Sequence, residues 1–132
     1  MSTTDLHHSI AVEVGIATTA VADGEDVVGA IIDTVGSRAL EYVLQVGAYT
    51  DGDVQLLIEG SDASDMSGAV EVDDKFLLGT EAGTLLSAAG VSKIGVVAPY
   101  RYIRATAVTA AGTTATVSAV AVKYGLAIDA VA

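Results

Sequence analysis

From Ser9 to Val21 the chain reads SIAVEVGIATTAV, with Ile10, Val12, Val14 and Ile16 on one set of alternate positions and Ala11, Glu13 and Gly15 on the other. A period of two is the repeat of an extended strand whose two faces meet different surroundings. After ADGED, the run VVGAIIDTVG predicts a short buried strand ending at Asp33-Thr34. ALEYVLQVGAY then sets Leu40, Tyr42, Leu44, Val46 and Ala48 opposite Glu41, Val43, Gln45 and Tyr49. DVQLLIEGSD sets Val54, Leu56 and Ile58 opposite Gln55, Leu57 and Glu59. Between these two runs stands Asp51-Gly52, and both residue types tolerate the positive φ of a tight turn, so the two strands are expected to pair as a hairpin.

Alternation fades between Asp62 and Val91, where turn formers surround brief apolar runs at Val70 and Phe76–Leu78. This reads as a long connection with one or two short strands and room for a single helical turn within Thr84–Ala89. Regularity returns in SKIGVVAPYRYIRATAVTA, where Pro99 marks an edge or bend because it has no N–H to give to a ladder. Arg101, Ile103, Ala105 and Ala107 alternate there with Tyr100, Tyr102, Arg104, Thr106 and Val108. The chain turns at AAGTT and returns as ATVSAVAVKYGLAI, a second expected hairpin.

Strands dominate, the turns are rich in Gly and Asp, and no helical spacing persists. The expected fold is all-β: an antiparallel β-sandwich of jelly-roll or Greek-key type with about seven to nine strands. No internal repeat or linker divides the chain, so residues 10–132 are expected to form a single sandwich domain behind a flexible N-terminal arm, residues 1–9.

Composition narrows the chemistry. There is no cysteine, which removes disulfides and thiolates, and the formal charge of −11 disfavours nucleic acid and anionic membrane as partners. The uncharged stretch ATAVTAAGTTATVSAVAV is long enough to suggest a membrane span, but its middle is a turn and its residues are mostly Ala and Thr. The N-terminus has no cationic start followed by an apolar run, so no secretory signal is expected.

Few residues are candidates for chemistry. Asp51 and Asp53 flank Gly52 and are weak calcium candidates, since the alternating oxygens and closing Glu of a calcium loop are missing and Glu59 falls in a strand. His7 and His8 are vicinal, pointing to opposite faces of an extended segment, with no acid or nucleophile at a recognisable spacing. The fourteen glycines form no phosphate cradle, and no serine-nucleophile motif is present. No catalytic residue, cofactor site or metal site is therefore assigned. The stripe YRYIR is more distinctive: Tyr100, Tyr102 and Arg104 would share a strand face, opposite Arg101, and Tyr and Arg are favoured anchors of protein interfaces. Pairing of these arginines with the abundant carboxylates is the plainer expectation.

The order DTVG, GAYTDGDVQLLIEGSDASD, LLGT and YRYIRATAVTAAGTTATVSAVAVKYG resembles a family of small proteins encoded in the structural gene cassettes of tailed bacteriophages, over Asp33 to Gly125. This chain departs from the family's Glu-Ser-Asp segment by a Gly within Glu59–Asp62. The resemblance implies a non-enzymatic virion protein, made in the host cytoplasm and carried on the capsid surface as a decoration or cement protein. Its implied partner is the major capsid protein, bound as a homotrimer or other homo-oligomer. A tail, baseplate or head-fibre module that binds host glycans is the alternative.

Overall fold

The computed structural model describes residues 6–125. Nine strands account for nearly all of its regular structure: β1 (Ile10–Val21), β2 (Val27–Asp33), β3 (Ala39–Asp51), β4 (Val54–Ser61), β5 (Val70–Glu71), β6 (Leu77–Leu78), β7 (Gly90–Val96), β8 (Tyr102–Thr109) and β9 (Thr114–Tyr124). They form a five-stranded sheet A, in the order β1-β9-β3-β7-β6, and a four-stranded sheet B, in the order β2-β8-β4-β5. Every pairing is antiparallel.

With the two-residue β6 set aside, the pairs β1–β9, β2–β8, β3–β7 and β4–β5 nest one inside the next. That nesting of two Greek keys defines a jelly roll. The all-β sandwich expected from the alternation is the fold observed.

Neither expected hairpin forms. β3 lies in sheet A and β4 in sheet B, while β8 lies in sheet B and β9 in sheet A. The turns at Gly52 and at 110–113 are arches that carry the chain from one sheet to the other. In a hairpin two strands lie side by side; here Leu44 and Leu56, both fully buried, look toward one interior from opposite layers. β1 and β2 are joined by a third arch at the same end of the sandwich.

Thr113 locks these three arches together. Its hydroxyl donates to the Ala110 carbonyl at 2.6 Å and accepts from the Asp53 N–H at 3.2 Å. Its carbonyl accepts from the Gly24 N–H at 3.1 Å, and Ala110 N–H donates to the Asp53 carbonyl at 3.1 Å. Gly52 sits at φ +96°, and a Cβ there would stand 2.2 Å from Thr113 Oγ1. Both the backbone sign and the close approach therefore require glycine.

The core fills the space between the sheets. Tyr42, Leu44, Leu56, Ile58, Ile94 and Ile103 are among its largest fully buried side chains. The inward positions of β8 and β9 are mostly small, with Ala105, Ala107, Ala119 and Ala121 all buried, so the bulky residues of β3 and β4 have room to interdigitate.

β1 departs from the expected pattern. Val14 pairs with Val120 and Ile16 with Ala119, so Gly15 is an extra residue, a bulge. The bulge reverses the facing of everything before it. Val12 and Val14, expected on the same face as Ile16, point outward and are 62% and 61% exposed, whereas Ile16 is buried.

The long middle connection, expected to carry one or two short strands, carries two, along with 3-10 turns at Asp74–Phe76 and at Ala82–Thr84, the latter slightly earlier than the expected turn within Thr84–Ala89. That turn seals the free edge of β4. Val54 N–H donates to the Leu86 carbonyl at 3.0 Å, Leu56 N–H to Thr84 Oγ1 at 2.9 Å, and Ile58 N–H to Glu81 Oε2 at 2.7 Å. An open sheet edge is a template for unwanted pairing, and here side chains and a loop occupy it. Of the expected arm, residues 1–5 lie outside the described residues; His7–Ser9 form a 3-10 turn rather than an extended segment, with the two imidazole rings 4.9 Å apart edge to face.

Thr113→Val, which keeps the shape and removes the hydroxyl, is expected to lower unfolding stability by about 1–2 kcal/mol. Gly52→Ala is expected to lower it further. Urea unfolding of both variants measures this, and a silent Thr113→Val would show that the arches are held by packing alone.

Candidate functional site

Asp51 closes β3 and Asp53 precedes β4, on either side of the Gly52 arch. Each carboxylate is engaged locally, since Asp51 Oδ1 accepts from the Gly52 N–H at 2.9 Å and Asp53 Oδ1 accepts from Ser87 Oγ at 2.6 Å. Among the described residues no group of three or more His, Asp or Glu side chains is placed to hold a metal ion. The pair serves the corner it stands on, and nothing in the arrangement adds a third ligand.

The YRYIR stripe divides. β8 begins only at Tyr102, and the inward positions are Ile103, Ala105 and Ala107, so Tyr102 and Arg104 do share the outer face of sheet B. Tyr100 does not join them. It precedes the strand, just after the Pro99 bend, and packs against the core. Its ring lies over Gly60, where a Cβ would come within 2.5 Å of Tyr100 Cδ2. The Gly within Glu59–Asp62 is thus the residue that admits the Tyr100 ring.

Both arginines of the stripe have carboxylate partners. Arg104 faces Glu59 directly across the ladder, with Nη2 3.3 Å from Oε1 and both side chains largely shielded. Arg101 grips Asp33 with two parallel bonds, Nε to Oδ1 at 3.0 Å and Nη2 to Oδ2 at 2.9 Å, and its guanidinium lies 5.1 Å from the Tyr102 ring centroid. Bidentate geometry of this kind is the strong form of the arginine–carboxylate bond. The Arg101 hydrogen bonds, then the Val35 N–H, hold the Asp33 carboxyl below its ordinary value. The same loop is tied to the β2–β3 turn, since Thr34 Oγ1 donates to the Arg101 carbonyl at 2.7 Å.

Two surfaces were not legible as sites from spacing. One is an acidic groove lined by Glu71, Asp73, Asp74 and Glu81, with Gln55 and Thr80. Burial, followed by the neighbouring charge of Glu71 and a hydrogen bond to it, raises the Glu81 carboxyl above its ordinary value. Glu71, Asp73 and Asp74 come from one short stretch of the middle connection, and only the folding of that connection brings Glu81 to them. The other is the outward row of valines on sheet A. Gly15, a lone glycine inside a strand pattern, was the signal available for it.

No protein-family model matches this sequence, and no curated protein matches it. Solved structures do share the fold. The SPBc2 prophage-derived protein YomS superposes with a TM-score of 0.53 at 13% identity, over 86% of this chain and 91% of that one. The PBSX exported protein XepA superposes with a TM-score of 0.56 at 17% identity, over 89% of this chain. This chain spans 37% of the length of that exported protein. At these identities what is shared is the jelly-roll sandwich.

Two outcomes are expected from these geometries. Removing the guanidinium in Arg101→Ala should raise the Asp33 carboxyl toward 3.8, its ordinary value, as followed by NMR titration. Because the folded carboxyl is depressed, its contribution is present above that value and is lost as pH falls through the folded one. Glu81 runs the opposite way: its contribution is full below the ordinary 4.5 and is lost as pH rises through the raised folded value. Glu81→Gln keeps an oxygen for Ile58 N–H and offers an N–H to Glu71. It should therefore melt above the parent at neutral pH and converge with it in acid. A variant that melts lower at neutral pH would show that the carboxylate's bond to Ile58 outweighs the repulsion.

Proposed function

We propose that the chain is a non-enzymatic structural protein of a tailed-phage virion, one that decorates the outer surface of the head by binding the major capsid protein. The observation that carries this reading is the fold likeness to the prophage-derived protein YomS, which runs over nearly the whole of both chains. The family resemblance of the turn and strand motifs supports the same class of protein and supplies the decoration role.

The surface chemistry is compatible with such contact. A charge of −11 favours a basic rim on the lattice and makes docking dependent on salt. Tyr102 and Arg104, on the outer face of sheet B, are the anchors we assign, with Arg101 stacked on Tyr102 to stiffen it. Arg104 would keep Glu59 as its partner, so it would act through position rather than as a free charge.

The test is a binding experiment with heads of the phage that encodes the chain. Purified protein should sediment with expanded heads more than with unexpanded ones, raise the melting temperature of expanded heads, and lose affinity as salt is raised. Tyr102→Ala should weaken binding roughly tenfold, the effect of about 1.4 kcal/mol. Co-purification with tails alone, or glycan binding without head binding, overturns the decoration role.

A further inference from the structure

The outer face of sheet A breaks the rule for a solvated antiparallel sheet, which alternates apolar-in and polar-out. In register, Val14 lies beside Val120 and Val120 beside Val43, and in the next row Val12 lies beside Val122. Val12, Val14 and Val120 are 62%, 61% and 47% exposed. Single exposed valines need no account. Three exposed valines together with the half-buried Val43 and Val122, on three adjoining strands, form a contiguous apolar patch, and such patches mark contact sites.

Charge selects what covers it. On a chain of net charge −11, the charged neighbours of this patch on the same face are Glu41, beside Val122, and Lys93, beside Val43: one of each sign. A basic partner would be drawn to the acidic surfaces elsewhere rather than to this neutral zone. Two copies of the chain repel each other over most of their surface, and this face lets them meet without opposing like charges.

The face is also self-complementary. A two-fold axis at right angles to the strands, running between the Val14–Val120–Val43 row and the Val12–Val122–Glu41 row, exchanges the two rows between copies. It seats Val14 on the partner's Val12 and Val120 on the partner's Val122. Glu41 of each chain then lies about one strand spacing, ~4.8 Å, to the side of the partner's Lys93. Four strands about 4.8 Å apart and about eight residues long give roughly 500 Å² of sheet face. That falls somewhat short of the ~800 Å² each partner contributes to a standard interface, so a weak, reversible pairing is expected.

We propose that two copies of this chain pair back to back through the outer faces of their five-stranded sheets. The pairing is a property of the chain by itself and is independent of the capsid reading, so either can fail alone.

Analytical ultracentrifugation of the full chain tests it. The parent should pass from monomer to dimer as concentration rises through the micromolar range, reaching mostly dimer by about 100 µM. Val14→Lys with Val120→Lys should remain monomeric there, with unchanged circular dichroism and melting, since both side chains point outward. Val28→Lys, equally exposed at 62% but on sheet B, should dimerise like the parent. A parent that stays monomeric at that concentration overturns the proposal, whether the face is then covered by the chain's own terminal residues or by the capsid. So does a dimer that survives the double substitution or is lost in Val28→Lys.

Discussion

Everything in this fold depends on the chain changing sheets at nearly every turn, and the hydroxyl of Thr113 is where that constraint is met. An arch leaves backbone donors and acceptors at the rim of the sandwich, where no ladder can take them up. At this end three arches converge, and each uses the others: Gly24 donates to Thr113, Thr113 donates to Ala110, and Ala110 donates to Asp53. Tyr49 closes the set by donating to the Gly52 carbonyl at 2.9 Å. The result is a rim whose polar groups are paired across segments far apart in sequence, so the register of one arch fixes that of its neighbours.

The strands themselves could be read from the chain, and their pairing could not. Alternation reports that Leu44 and Val54 each belong to a buried face; it does not report whether those faces lie in one sheet or look at each other across the core. Asp51-Gly52 is equally suited to a hairpin and to an arch, because positive φ is required in both. What decides is long-range: β3 is already flanked by β7 and β9, which leaves no edge for β4. The misplaced valines have a more local cause, since one extra residue at Gly15 shifts the parity of the strand before it.

Of the expected contact residues, Arg104 and Tyr102 were legible because period two survives through β8. Tyr100 was not, because Pro99 holds it outside the strand and Gly60 opens a slot for its ring from another strand. The arginine–carboxylate pairs followed from composition, six cations among seventeen acids, without any means of knowing which acid each would choose. Cross-strand register supplied Glu59 for Arg104, and the β2–β3 turn supplied Asp33 for Arg101.

The distribution of charge also bears on how such a molecule could assemble. β1 is a long outer strand, and a free edge of that kind invites unlimited edge-to-edge addition. Here Glu13, opposite buried Ala121 on the inward-facing set of β1, is a charged side chain paired with Lys123 of β9, and inward-pointing charge is one device that blunts an edge. The opposite side of sheet A ends in β6, too short to template anything. On sheet B the 81–86 segment has already taken the donors of β4. With these three edges blunted by charge, brevity and capping, association through them is disfavoured relative to the faces. A face that is complementary to itself forms a closed pair rather than a fibre.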